Sequence, residues 1–147
     1  MVKSPSFLAM KELVYQFIHH HQLGVVSTTG GDGKPEAALV GIAVSGDLHI
    51  IFDTLKTSRK YRNISSNHRV AIVVGWDNET TVQYEGEAEI LGNDNASDNY
   101  RQTYYAAFPD GRERAETWPG LIHIKVTPKW IRYSNFNEPV VIKEMEF

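Results

Sequence analysis

Residues 23–44 run Leu23-Gly24-Val25-Val26-Ser27-Thr28-Thr29-Gly30-Gly31-Asp32-Gly33-Lys34-Pro35-Glu36-Ala37-Ala38-Leu39-Val40-Gly41-Ile42-Ala43-Val44. Leu23 to Thr29 is apolar and β-branched, which suits a pleated, half-buried strand. Gly30-Gly31-Asp32-Gly33 is a turn rich in residues that tolerate positive φ. Pro35 to Val44 reads as the return strand. Ser45-Gly46-Asp47 turns the chain again, and Leu48 to Asp53 is a third strand. The reading is a β-meander, and it sets an antiparallel frame for what lies on either side.

Before this frame the period is helical. Ser4 can cap a helix and Pro5 suits its first turn, while Phe7, Met10, Leu13, Val14, Phe17 and Ile18 recur on one face. The helix ends near His19-His20-His21, where polar or cationic groups suit the negative end of the dipole. Adjacent helical residues point about 100° apart, so these three cannot converge on one metal ion. His49, His68 and His123 are scattered, and no metal site is expected.

After the meander, Thr57 is a plausible cap for a short helix over 58–66, with Tyr61 and Ile64 inward. Arg69 to Trp76 is a fourth strand, and its run Val70-Ala71-Ile72-Val73-Val74 reads as buried on both sides. Asp77-Asn78-Glu79 turns into a fifth strand, Thr80 to Leu91. Val82, Tyr84, Ala88 and Ile90 share one of its faces; Gln83, Glu85, Glu87 and Glu89 share the other. Asn93 or Asp94 opens a helix to about Ala107, ended by Pro109-Asp110-Gly111. Arg112 to Pro119 reads as a polar loop. Leu121 to Val126 and Lys129 to Tyr133 are two last strands, separated by Pro128. About seven mostly sequential strands with peripheral helices favour an antiparallel barrel, which leaves no exposed sheet edge.

The 147 residues suggest a single domain, long enough to bury a core without staples. There is no cysteine, which excludes disulfides, thiolate metal sites and cysteine catalysis. Net charge is -3, which disfavours wholesale nucleic-acid binding. The opening Met1-Val2-Lys3-Ser4-Pro5 leads into an amphipathic helix rather than a signal peptide or membrane span. A cytoplasmic location is expected.

Phe52-Asp53-Thr54-Leu55-Lys56-Thr57-Ser58-Arg59-Lys60-Tyr61-Arg62-Asn63-Ile64 carries the chemistry. Lys56, Arg59, Lys60 and Arg62 place four positive charges in seven residues, and Thr57 and Ser58 add hydroxyls. A strand ends here and a helix begins, so unpaired N–H groups and the positive end of a dipole favour a phosphate. A solvated basic helix face is the other reading. The small residues Ala37, Ala38 and Gly41 weaken a strand unless something approaches its backbone: a planar ring across Ala37-Ala38-Leu39, or tight packing against the first helix. Trp76, Trp118 and Trp130 are candidates to cover the ring's edge, although core packing is the commoner fate of tryptophan. No Gly-rich dinucleotide fingerprint follows any strand, so the one phosphate cluster suits a ligand with a single phosphate better than a dinucleotide.

Taken in order, several segments carry a family resemblance. They are Leu23-Gly24-Val25-Val26-Ser27-Thr28, Asp32-Gly33-Lys34-Pro35, Ile51-Phe52-Asp53-Thr54, Lys60-Tyr61-Arg62-Asn63-Ile64, Val70-Ala71-Ile72-Val73 and Val82-Gln83-Tyr84-Glu85-Gly86-Glu87-Ala88-Glu89. Over roughly residues 8–135 the chain resembles the pyridoxamine 5'-phosphate oxidase-like FMN-binding split barrels, closest to their general-stress-protein branch. The resemblance implies a mainly β fold: a six-stranded antiparallel split β-barrel with peripheral α-helices. It also implies a homodimer with two FMN molecules at the subunit interface and a small-molecule electron donor or acceptor. By position, Lys60 meets the FMN phosphate, with Arg59, Ser58 and Thr57 in the same loop. Thr54, after Asp53, ends the strand beneath the ribityl chain. Ala38, Leu39 and Val40 line the isoalloxazine through their backbone, Gln83 lies near the partner's flavin, and Trp118 and Trp130 are candidate walls. No catalytic acid is marked. The tail, Pro139-Val140-Val141-Ile142-Lys143-Glu144-Met145-Glu146-Phe147, lacks the basic substrate-binding segment of the B6 oxidases and argues against pyridoxamine phosphate as substrate. A sensor or stress buffer holding FMN, a deazaflavin-dependent reductase, and a barrel that has lost flavin to become an interaction module are the alternatives.

Overall fold

The computed structural model describes residues 4–147. The expectations for the first three residues, and for the start of the domain, lie outside these. Among the described residues four helices, α1 (Pro5–His21), α2 (Arg59–Ser66), α3 (Asn95–Ala107) and α4 (Gly111–Thr117), accompany eight strands. The strands are β1 (Leu23–Thr29), β2 (Pro35–Gly41), β3 (Ala43–Val44), β4 (Ile50–Leu55), β5 (Arg69–Val74), β6 (Thr80–Ile90), β7 (Leu121–Asn135) and β8 (Val141–Glu146). All pairings are antiparallel, in the order β2-β1-β5-β6-β7-β4-β3, with β8 also on β7.

The first and last strands of that path, β2 and β3, are joined through Ile42 alone. A flat sheet of seven strands cannot have its two ends one residue apart, so the sheet curls into a barrel. The curl is incomplete. β2 pairs only with β1, and residues 52–55 of β4 pair only with β7. Two unpaired strand edges therefore face the same opening, and the barrel is split there.

One contiguous core fills the barrel, including Val26, Ile42, Ile50, Phe52, Ile72, Val82, Ile124 and Ile131. Met10, Val14 and Ile18 of α1 join it. Ser4 caps α1, its Oγ accepting the Phe7 N–H at 3.2 Å. Leu13, expected on the inner face, is exposed, because the buried stripe is narrower than the apolar one. A second cluster of Ala43, Ile51, Leu91 and Tyr104 seats α3 on the barrel's flank.

Several expectations are corrected. β5 is buried on one face only: Val70, Ile72 and Val74 point inward, and Ala71 and Val73 outward. Its apolar run describes an outer face that is also apolar. Ile90 leaves the inner row of β6 and is exposed. β4 starts at Ile50, because Leu48 turns with φ 65° and buries its side chain completely. The two expected last strands are one, β7, running through Pro128. Pro128 lies opposite Gly86, and the pairing then skips Lys129 in a bulge that spares the missing N–H. A Cβ at Gly86 would lie 2.4 Å from the Thr127 carbonyl oxygen, so only glycine fits. Arg112 to Pro119, expected as a loop, is helical as far as Thr117 and belongs to α4. The tail forms β8, which pairs along β7, and Glu144 binds Arg132. No described helix is long and apolar enough to cross a membrane.

Candidate functional site

A cleft of about 400 Å³ occupies the split. One wall is β2 (Leu39, Val40, Gly41) and the opposite wall β4 (Asp53, Thr54, Leu55). Thr57, Ser58 and Lys60 form its floor at the start of α2, and Trp118 and Leu121 stand at its mouth. An adjoining cavity of about 80 Å³ is lined by Thr28, Glu36, Ala37, Ala38, Arg59 and Lys60. Lys60 belongs to both.

The turn into α2 is built by local hydrogen bonds. The Ser58 N–H donates to Leu55 O at 2.9 Å, and the Lys56 N–H to Gly120 O at 2.9 Å. Ser58, not Thr57, is the cap: its Oγ accepts the Tyr61 N–H at 3.2 Å. Thr57 lies one residue before the cap and is free to line the cleft. Thr54 Oγ1 donates to Ser58 Oγ at 2.9 Å, which ties the end of β4 to the helix start. Among the described residues, the Arg59 and Lys60 N–H groups have no acceptor. These are the donors that a helix N-terminus offers an anion.

The four positive charges part company in three dimensions. Arg59 is held 2.8 Å from Glu36 of β2, and Glu36 also accepts from Asn63 Nδ2 at 2.6 Å. Asn63 donates as well to Thr28 Oγ1 at 3.0 Å, so a buried polar network fixes α2 against β1 and β2. Arg62 faces a different groove, beside the Gly30–Gly33 turn. Lys56 is exposed. Lys60 has no ion-pair partner among the described residues. Burial holds its pKa below the usual lysine value, opposed by the charge of Asp53. An ammonium in a partly dry site without a counter-ion favours a bound anion.

The cleft also contains a carboxylate. Asp53 Oδ2 accepts from Arg114 Nε at 3.3 Å and Nη2 at 3.2 Å. Arg114 lies on α4 and donates further to Asp110 at 2.7 Å and to the Tyr104 hydroxyl at 3.2 Å. Reading 112–119 as a loop hid this residue. Asp110 and Arg114 at i and i+4, together with the good helix-forming run Arg112-Glu113-Arg114-Ala115-Glu116, were the available signal. The small residues of β2 divide by cause. A Cβ at Gly41 would lie 2.9 Å from the ring of Phe108, so Gly41 serves packing against the end of α3, not α1. Ala37 and Ala38 line the small cavity.

Of the sequence-derived candidates, Lys60, Ser58, Thr57, Thr54, Asp53, Leu39, Val40 and Trp118 meet at the cleft, and Ala38 and Arg59 at the adjoining cavity. Gln83 and Trp130 do not meet them. They lie on the barrel's outer face, in two cross-strand rows: Leu39-Val25-Val73-Gln83-Arg132 and Ala37-Ser27-Ala71-Glu85-Trp130. The Arg132 guanidinium stands 5.4 Å from the Trp130 ring. Trp76 is exposed and lines neither space.

The family model described as pyridoxamine 5'-phosphate oxidase matches residues 10–135. No curated protein matches. General stress protein 26 from Bacillus anthracis superposes with a TM-score of 0.71 at 22% identity, over 94% of this chain and 98% of its own. A Clostridium acetobutylicum protein related to general stress protein 26 gives 0.70 at 16% identity, over 99% and 97%. A heme binding protein from Mycobacterium smegmatis gives 0.76 at 14% identity, over 99% of this chain and 60% of its own. At these identities the likeness is one of fold.

Proposed function

Because the chain belongs to the pyridoxamine 5'-phosphate oxidase family, we propose that it binds FMN in the split of the barrel and acts as a flavin-dependent oxidoreductase on a substrate other than pyridoxamine phosphate. The observation that carries this reading is Lys60, a partly buried ammonium that has no ion-pair partner among the described residues and stands beside two N–H groups at the start of α2 that have no acceptor among them. This donor set fits a phosphate. Lys60 supplies the charge, the Arg59 and Lys60 N–H groups the directional bonds, and Thr57 and Ser58 hydroxyl contacts. The unpaired edge of β2 at Ala38, Leu39 and Val40 offers backbone donors and acceptors to a flat polar ring. Trp118 at the mouth shields that ring from water.

When bound, FMN supplies the transfer of a hydride or of electrons at its ring. The protein's part is to position it and to hold its charge. The tail supports a substrate other than pyridoxamine phosphate, because residues 141–146 are committed to β8 and carry Glu144 and Glu146 rather than a basic cluster.

A homodimer is part of the proposal. Its support is the outer face, where Leu39, Leu23 and Val73 are exposed in a contiguous apolar patch. Gln83 lies in the row of Leu39 and Val73, and Trp130 in the row beside it, so a second copy seated there would bring its own cleft to them. Haem, suggested by two structural neighbours, a heme binding protein and a heme storage protein, is less well supported. The cleft's described lining has no His, Cys, Met or Tyr to serve as axial ligand.

Titration of the purified protein with FMN, followed by flavin fluorescence, tests the reading. Saturable quenching is expected, with bleaching of the bound flavin by NADH or NADPH. Absence of quenching refutes it. Binding without bleaching by either nucleotide selects the sensor alternative. Preferential binding of a deazaflavin selects the deazaflavin-dependent reductase.

A further inference from the structure

We propose that Arg114 is a positioning residue for the anion site: it cancels the charge of Asp53 in the cleft and so leaves Lys60 as the charge that an incoming phosphate meets. The inference rests on the flavin reading for the identity of the anion, but not for the electrostatics.

Asp53 is awkwardly placed for an anion site. It is the residue before Thr54 on β4 and lines the same cleft as Lys60, with its side chain only 17% exposed. A carboxylate there repels a phosphate and attracts Lys60. Two Arg114 nitrogens converge on the one oxygen, Oδ2, at 3.2 and 3.3 Å. The guanidinium is itself fixed by Asp110 and by the buried Tyr104. Asp110 is largely in water, where its charge is screened, so the cation's effect falls mainly on the enclosed Asp53. His123, directly across from Asp53 on β7, is buried with no partner at Nε2, and burial lowers its pKa, so it adds no compensating charge near neutral pH. Lys60 does respond to Asp53, whose charge opposes the effect of burial. Arg114 is thus the only ion-pair partner Asp53 has among the described residues.

The experiment compares FMN with riboflavin, which lacks the phosphate, on wild type, Arg114→Met, and Asp53→Asn/Arg114→Met. Arg114→Met is expected to weaken FMN on the order of tenfold, the effect of one uncancelled charge beside a phosphate, and riboflavin far less. Removing the carboxylate in the double variant restores the FMN-to-riboflavin ratio. Equal loss for both ligands, or no recovery in the double variant, overturns the proposal and makes Arg114 a brace for α4 alone. Should Arg114→Met not fold, Arg114→Gln keeps hydrogen bonds to Asp53 without the charge, and the same ratio decides. A readout without any flavin separates this idea from the function it serves. By NMR of the cofactor-free protein, the Lys60 pKa rises in Arg114→Met and returns in the double variant. If wild type binds no FMN the functional reading falls, yet an unmoved Lys60 pKa is what overturns the role of Arg114.

Discussion

Replacing Lys60 with Met separates stability from function at one residue. Met keeps the length of the stem and removes the ammonium. In the protein without ligand the ammonium is desolvated and lacks an ion-pair partner among the described residues. Its folded pKa lies below the free value of 10.5, so the folded state holds the proton less well than the unfolded chain. The sign follows. While the group is charged in both states the full penalty is present, and it fades only as pH rises through the folded pKa. Lys60→Met removes the penalty, so melting of the ligand-free protein at pH 7 is expected at the same temperature or higher. Binding moves the other way. A charge-assisted bond to phosphate contributes about 1.5–3 kcal/mol, and partial exposure places Lys60 at the lower end. FMN affinity is expected to fall about tenfold, with riboflavin nearly unaffected. Differential scanning fluorimetry and fluorescence titration measure the two quantities on one preparation. An unchanged FMN affinity refutes the reasoning. So does a loss shared equally by riboflavin, or one accompanied by a marked fall in melting temperature, since either would make Lys60 a structural residue.

Three further outcomes are expected. Val73→Glu places a carboxylate on the exposed apolar face without touching the core; sedimentation should show a dimeric wild type and a monomeric variant, and a wild-type monomer would dispose of the dimer. FMN should quench tryptophan emission mainly through Trp118, the indole at the mouth of the cleft; Trp118→Phe that leaves the quench intact would contradict that placement. Acid should destabilise the fold partly through His123, whose burial lowers its pKa from 6.5. As pH falls through 6.5 the unfolded chain takes up a proton that the buried ring refuses, so stability drops. His123→Phe should narrow the difference in melting temperature between pH 7.5 and pH 5, and an unchanged difference would exclude the residue as a source.

The expected return strand over residues 35–44 breaks at Ile42, and β4 pairs mainly with β7 rather than completing a meander. The β1–β2 hairpin, the first helix with its Ser4 cap, the alternation of β6 and the strand-to-helix turn at Thr57-Ser58, by contrast, were legible in the sequence. Each rests on interactions within a few residues: a period of two or 3.6, a turn that needs glycine, a hydroxyl three residues before the N–H it caps. The clustering of hydroxyl and basic residues at 54–60, on which the proposed phosphate site rests, was legible for the same reason. What was not legible depends on residues far apart in the chain. Four basic residues looked alike until Glu36, 23 positions away, claimed Arg59, and Lys60 alone was turned into the cleft. Asp53 looked like a ligand until Arg114, 61 positions away, reached it from α4. Pro128 looked like a break because a lost N–H is a local fact, whereas the bulge that accommodates it belongs to the pairing with β6. Local chemistry thus determined the elements and gathered the basic residues at one turn, and the curling of the sheet decided which charges meet in the cleft. Charge acts through space, and only the closed topology sets the distances over which it acts.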